Sequence, residues 1–502
     1  MGRPTDDSDA EIARLRATVA ELLGVVADLR RQVEAQQAHI HKLVKLTFGP
    51  RGERAVGPTL FDDAPLDEAA ADPPAGPTGP TAPRCGHGRR PKPADLPRER
   101  VEVDLCDAEK VCPCCAAVRV RVGREVSERL DYYPASLFVR EIVRPTYACR
   151  TCERAGHDPQ FAHARLPAEV VPRGGVGPGL LAQAVVAKFV DHLPLHRQTA
   201  ILARDGWPVP RSTLCDHLRA CGRLLAPLHR RMADRVKASY AIHADETPVT
   251  LLRPKRAAYA WVYLGDSRNP YTVFDVTAGR GRDHPEAFLA GYTGFVHADA
   301  YAGYNRVHQR VRHVGCWMHA RRGFVEARDG DPARAGEALA FVRTLYAVER
   351  DISTAGHVGD AVAECRRARA GPVLDQFAAW LDVEVRTARP KSPLGAAITY
   401  ARNGWASLTR YVADGRLAID NGPAERAIRP LAVGRKNWLF VGGDGGLATA
   451  AVLLSVVASA RRHGLNAWSY LRDLFDRLPA VPTGADLSDF LPDAWTKAHL
   501  GR

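Results

Sequence analysis

Apolar residues recur every seven positions near the start of the chain. Ile12, Val19, Val26, Val33 and Ile40 fall on one position; Leu15, Leu22, Leu29 and Leu43 fall on the other, with Gln36 interrupting them. β-Branched residues at the first position and Leu at the second predict a parallel two-stranded coiled coil over 8–48, with Gln36 setting the register. A long helix packed on its own protein would carry the same stripe. The period is lost over 49–99, where Pro, Gly, Ala and Asp dominate, predicting a flexible linker. The linker ends in the basic stretch Arg84-Cys85-Gly86-His87-Gly88-Arg89-Arg90-Pro91-Lys92. Short strand-like runs fill 100–165. Over 170–235 the spacing predicts helices at Leu180–Val190 and His196–Arg204, then a Gly- and Pro-bearing turn, then a helix from about Thr213 capped by Ser212. That order fits a helix-turn-helix and equally a small helical bundle. From 236 to 445 strand-like runs come first, then strand–helix alternation, predicting an α/β core with a helical insertion at about 331–412. The tail, 446–502, is helical.

At 502 residues the chain exceeds one ordinary domain. The net charge of +13 and pI near 9.3 point to a polyanionic partner. The bias toward Arg and Ala could also follow from genome base composition. No apolar run reaches about 18 residues, which argues against a membrane span, and the first residues lack a secretory apolar core. The setting expected is the cytoplasm, where the 11 cysteines serve as thiols or metal ligands.

Two Cys-x-x-Cys pairs stand out. Cys112 and Cys115 form one; Cys149 and Cys152 form the other, across a β-rich stretch. Four thiolates satisfy tetrahedral zinc, and each two-residue turn lets two sulfurs reach one ion, so a zinc ribbon is expected. Cys114 is an alternative to Cys115, and Cys85, Cys106 and His157 lie nearby in sequence. Buried free thiols are the plainer reading.

Three acids carry the candidate chemistry. Asp245 in Ile-His-Ala-Asp-Glu-Thr-Pro and Asp299 in His-Ala-Asp-Ala-Tyr-Ala-Gly-Tyr each follow an apolar strand-like run. Ligand groups collect beyond strand ends in open α/β sheets. Glu425 falls just inside a helix that Asn421 can cap and Pro423 can start. Together they suit a divalent-metal cage acting on phosphodiesters, with two magnesium (or manganese) ions about 3.5–4 Å apart. Glu425 could instead simply complement the helix dipole. Glu246 is expected to face the other side of its strand.

These phrases resemble those of transposases of the insertion-sequence sixty-six family, within the wider DDE group. The matching stretches are Asp245-Glu246-Thr247-Pro248, Asp299 through Tyr304, Cys316-Trp317-Met318-His319-Ala320-Arg321-Arg322, Ile419 through Pro430 and Gly434 through Phe440. The coil, the basic linker end and the cysteine knuckles match the family layout, so the likeness spans nearly the whole chain. Cys-Pro-Cys-Cys at the first knuckle departs from it. The resemblance implies a ribonuclease-H-like catalytic core, preceded by coiled coil, zinc ribbon and helical DNA-binding domain. It implies cleavage of element ends and strand transfer, with Asp245, Asp299 and Glu425 as metal ligands.

His243 and His297 lie two residues before each Asp and are expected to support the site without ligating. Cys316 and His319 have half a metal site's spacing and are assigned structural or DNA-positioning work. Arg211, Arg321, Arg322, Arg435 and Lys436 are expected phosphate contacts. Expected partners are DNA, a second copy of the chain through the coil, and small companion proteins of the element. The alternatives are a ribonuclease-H-like nuclease without strand transfer and a catalytically silent DNA-binding regulator.

Overall fold

The computed structural model describes residues 92–500, apart from 93, 95, 134–135, 157, 159–160, 254, 300, 305–306 and 308–310. The expected coiled coil and nearly all of the linker lie outside the described residues, as do Cys85 and His157. The described chain forms two compact units. The larger takes 90–318, 358–363 and 406–502; the smaller takes 319–357 and 364–405.

The larger unit opens with a small sheet. Strand β1 (Arg98–Glu102) runs parallel to β3 (Ser136–Ala148), which pairs antiparallel with β2 (Val120–Tyr133) and, at its far end, with β4 (Phe161–His163). Val120 pairs with Ala148. The knuckle preceding β2 and the knuckle following β3 therefore meet at one end of the hairpin. The second knuckle runs into a short helix, α1 (Arg150–Arg154).

Three helices follow: α2 (Pro178–Phe189), α3 (Leu195–Arg204) and α4 (Arg211–Lys237). The first two lie close to the predicted spans, and the third is longer than the turn chemistry at its start could foretell. Their apolar residues do not close a core of their own. Leu180 and Val185 of α2 and Leu218 and Leu225 of α4 join the cluster built around the main sheet.

That sheet consists of β5 (Ala241–Leu251), β6 (Arg256–Leu264), β7 (Thr272–Thr277), β8 (Phe295–His297) and β9 (Arg312–Val314), in the order β7-β6-β5-β8-β9. The first three form an antiparallel meander; β8 and β9 run parallel to β5. A short helix, α5 (Asp283–Phe288), makes the crossover from β7 to β8. Central strands are continuously buried, as a sheet covered on both faces requires: Ala258, Ala260, Trp261, Val262 and Tyr263 of β6 are all fully enclosed.

After β9, α6 (Trp317–Ala327) leads into the helical insertion, formed by α7 (Pro332–Thr354), α8 (Asp360–Arg369), α9 (Gly371–Thr387) and α10 (Pro393–Asn403). Phe324, Phe341, Phe377 and Trp380 form an aromatic cluster in the smaller unit. The chain returns through α11 (Trp405–Leu408) to α12 (Gly422–Trp438), α13 (Asp444–Arg462), α14 (Ala467–Arg477) and α15 (Pro492–Leu500).

Helix α13 is apolar and long enough to cross a membrane by length and composition. It is instead a core helix. Ser459 Oγ accepts the Thr272 N–H at 3.1 Å and donates to the Thr272 carbonyl at 2.8 Å, and Ser455 Oγ accepts the Phe274 N–H at 2.8 Å. These serines satisfy the outward-facing amides of β7, an edge strand that would otherwise invite pairing with another chain.

Candidate functional site

The pairing of β5 with β8 places His243 opposite His297. Asp245 stands two residues further along β5, hence on the face of His243, inside the strand and not beyond its end as expected; Asp299 lies two residues past His297, just beyond the end of β8. Adjacent strands lie about 4.8 Å apart, so the two acids emerge side by side where the strands end their pairing. Backbone amides fix each carboxylate: Glu246 N–H donates to Asp245 Oδ1 at 2.9 Å, and Tyr301 N–H donates to Asp299 Oδ1 at 3.0 Å. Glu425 occupies the first turn of α12, which packs across β5.

Charge accumulates here. Burial, reinforced by the negative charges of Glu246, Asp299 and Glu425 and opposed by the Glu246 amide, pushes the Asp245 carboxyl from 3.8 up to about 7. Among the described residues, no three carboxylates have oxygen atoms all within 4.8 Å of one another. The acids share a field without forming a closed cage.

Glu246 is a fourth acid at this place. Its carboxylate is nearly enclosed and accepts Arg280 Nε at 3.0 Å. Burial nevertheless raises its pKa; Arg280 opposes this, and the charge of Asp299 adds to it. The Arg280 guanidinium stacks 3.7 Å from the Tyr301 ring centre, and the Tyr301 hydroxyl donates to the Arg280 carbonyl at 2.7 Å. Nothing in the motif Gly279-Arg280-Gly281 announced this partner.

Asn421 departs from the expected cap. It stands at the N-cap position of α12, but its side chain accepts no amide of that helix. Its Nδ2 donates to the Ala244 carbonyl at 2.8 Å, and its Oδ1 lies 3.0 Å from His243 Nδ1. With Nδ2 acting as donor, the His243 ring must donate to Oδ1. Burial holds the His243 pKa down to about 4, so the ring is neutral at neutral pH. It stacks on the buried His297 ring at 4.2 Å and 13°. The Asn421 backbone N–H donates to Cys316 Sγ at 3.2 Å. Cys316 is fully buried, and His319, half-buried, falls on α6.

The basic residues divide. Arg211 is exposed at the start of α4, Arg321 and Arg322 are exposed on α6, and Lys436 is exposed on α12. Arg435 instead turns inward, donating to Thr247 Oγ1 at 2.9 Å and to the Pro248 carbonyl. It braces the strand that carries Asp245.

Separately, Cys112, Cys115, Cys149 and Cys152 bring their sulfurs within 4.8 Å of one another. The Cys112–Cys152, Cys115–Cys149 and Cys115–Cys152 separations are 3.8, 3.3 and 3.7 Å. A tetrahedron with zinc–sulfur bonds of about 2.3 Å has edges of about 3.8 Å. The turn amides of Cys114 and Cys115 lower the Cys112 thiol to about 6, and the Cys152 amide lowers Cys149, while hydrogen bonding from the neighbouring sulfurs raises Cys115 and Cys152. Cys106 and Cys114 are exposed and outside the group. The donor set and spacing fit one structural zinc.

Comparison with known proteins identifies the family. Residues 173–449, more than half the chain, match the family described as Transposase IS66 family. Residues 109–153 match the zinc-finger binding domain of transposase IS66. Proteins y4hP and y4jD of Sinorhizobium fredii (strain NBRC 101917 / NGR234) are similar over most of their length. The first is 30% identical, spanning 82% of this chain and 77% of y4hP; the second is 31% identical, spanning 82% of each.

Proposed function

This chain belongs to the IS66 family of transposases, and on that premise we propose that Asp245, Asp299 and Glu425 are its catalytic carboxylates. The observation that carries the reading is the register of β5 and β8, whose last pair is His243 with His297; Asp245, within β5, and Asp299, just past β8, each follow two residues later, with the helix bearing Glu425 packed on β5. The strand order, with an antiparallel meander followed by two parallel strands, supports a ribonuclease-H-like core.

The donor set fits a divalent cation. Three carboxylates are hard oxygen ligands, and a bound cation would offset both the burial and the neighbouring negative charges that raise Asp245 to about 7. Asp245, Asp299 and Glu425 would hold magnesium or manganese, two ions in the full site, and the metal would supply the positive charge that favours attack on, and departure from, a phosphodiester. The chain's own residues orient the reaction. The Glu246 and Tyr301 amides fix the two Asp carboxylates, and Arg435 braces β5 through Thr247 and Pro248. Arg280 pairs with Glu246 and partly offsets the charge this neighbouring acid brings to the site.

Binding of DNA follows from the family and from the basic surface. Arg211, Arg321, Arg322 and Lys436 serve as phosphate contacts, with the zinc-stapled hairpin and the helices of 170–235 holding element ends. The coil over 8–48 joins two copies, with small companion proteins of the element as further partners, and the work is done on DNA in the cytoplasm.

The test is a duplex carrying an element end, labelled at the strand to be cut, incubated with magnesium and target DNA. A transposase yields cut ends and joined products. Cutting without joining marks a nuclease, and binding without either marks a regulator; each would replace this reading.

A further inference from the structure

The side chain of Asn421 does something its place in the helix does not require. An Asn at an N-cap ordinarily accepts an amide of its own first turn. Here the carboxamide gives up that bond and is buried, 1% exposed, between separate elements. It donates to Ala244 on β5, accepts from His243 on β5, and its own amide reaches Cys316 just past β9. The Ala244 carbonyl belongs to the peptide that leads into Asp245, at a point where β5 no longer pairs with β8. One helical turn after Asn421 comes Glu425. A single buried side chain thus ties the peptide preceding one acid to the helix start carrying another, residues 180 apart in sequence.

We propose that Asn421, held by the His243–His297 stack, is a positioning residue that sets Glu425 against Asp245 for metal binding. The inference rests on the carboxylate reading above and deepens it. A buried polar bridge of this kind has a defined geometry that apolar packing lacks, because losing one bond leaves the remaining groups unsatisfied. Residues that orient ligands in this way typically alter metal affinity by about 10–100-fold when removed.

The experiment uses the full-length protein with its zinc retained, measuring Mn2+ affinity by electron paramagnetic resonance, alongside duplex binding and thermal melting. Asn421→Ala should weaken Mn2+ binding about 10–100-fold, leave duplex affinity unchanged, and recover cleavage in part as Mn2+ is raised. His243→Phe keeps a ring to stack on His297 but cannot donate to Asn421; it should move Mn2+ affinity in the same direction. The double variant should be no weaker than Asn421→Ala alone, since both changes cut one bridge. Should Asn421→Ala not fold, His243→Phe decides. Folded variants that bind Mn2+ within twofold of the parent would overturn the inference, provided Asp245→Asn in the same assay loses Mn2+. If Asp245→Asn binds Mn2+ normally, the carboxylate reading fails first and this proposal with it.

Discussion

Replacing Asp245 with Asn should make the metal-free protein more stable while abolishing its chemistry. The folded carboxyl titrates near 7 against an ordinary 3.8, because burial and then Glu246, Asp299 and Glu425 disfavour its charge. A carboxylate raised in the folded state destabilises it once ionised. The folded chain holds a proton that the unfolded chain has released, so stability falls as pH rises from about 4 to about 7. The rise from 3.8 to about 7 sets a ceiling of about 4 kcal/mol at pH 8. Asn keeps the size without the charge, and its own burial cost trims the gain to about 1–3 kcal/mol. The assay is urea unfolding in EDTA-treated buffer with zinc left in place, for parent and variant, from pH 4 to pH 8. Relative to the parent, the variant should gain stability steadily from about pH 4, level off above about pH 7, and be the more stable of the two at pH 8. Magnesium at a hundred times its Kd should then raise the parent by about 2.7 kcal/mol and leave the variant unmoved. A variant less stable than the parent at pH 8, or a difference independent of pH, would refute the reasoning.

Other outcomes follow from separate parts of the molecule. Cys112→Ser or Cys149→Ser should cut bound zinc from one per chain and lower melting temperature, whereas Cys114→Ser should keep it; atomic absorption on purified protein checks this. Ser459→Ala should cost about 1–3 kcal/mol, since it strands the Thr272 amide and carbonyl on an edge strand, and chemical denaturation reads it. Asp at both Leu22 and Leu29 should convert a dimer to a monomer in sedimentation, and a parent already monomeric at high concentration would dismiss the coil.

Local chemistry was what the sequence displayed well. The cysteine pairs declare themselves by spacing, and the hairpin between them needs only antiparallel register to bring both pairs to one end. Asp245 and Asp299 were legible because each follows an apolar run, and strand period puts Asp245 on the face of His243, while Asp299 lies just past the short strand β8. Long-range choices were hidden. Asn421 reads as a cap because a cap is local, while its actual partners lie 177 and 178 residues away. Arg435 reads as a phosphate contact until Thr247 and Pro248 are seen to take it. Ser455 and Ser459 look like blemishes in an apolar helix, and only the unpaired edge of β7 explains them. The helices over 170–235 looked self-sufficient because amphipathic spacing shows which face is apolar and not what covers it.

Single-turnover cleavage of a labelled element-end duplex in magnesium tests the central claim most directly. The parent should cut at the element boundary. Asp245→Asn, Asp299→Asn and Glu425→Gln should bind the duplex with the parent's affinity and leave it intact, because the basic surface is separate from the acids. Cleavage retained by any one of the three would contradict the assignment of these carboxylates to catalysis.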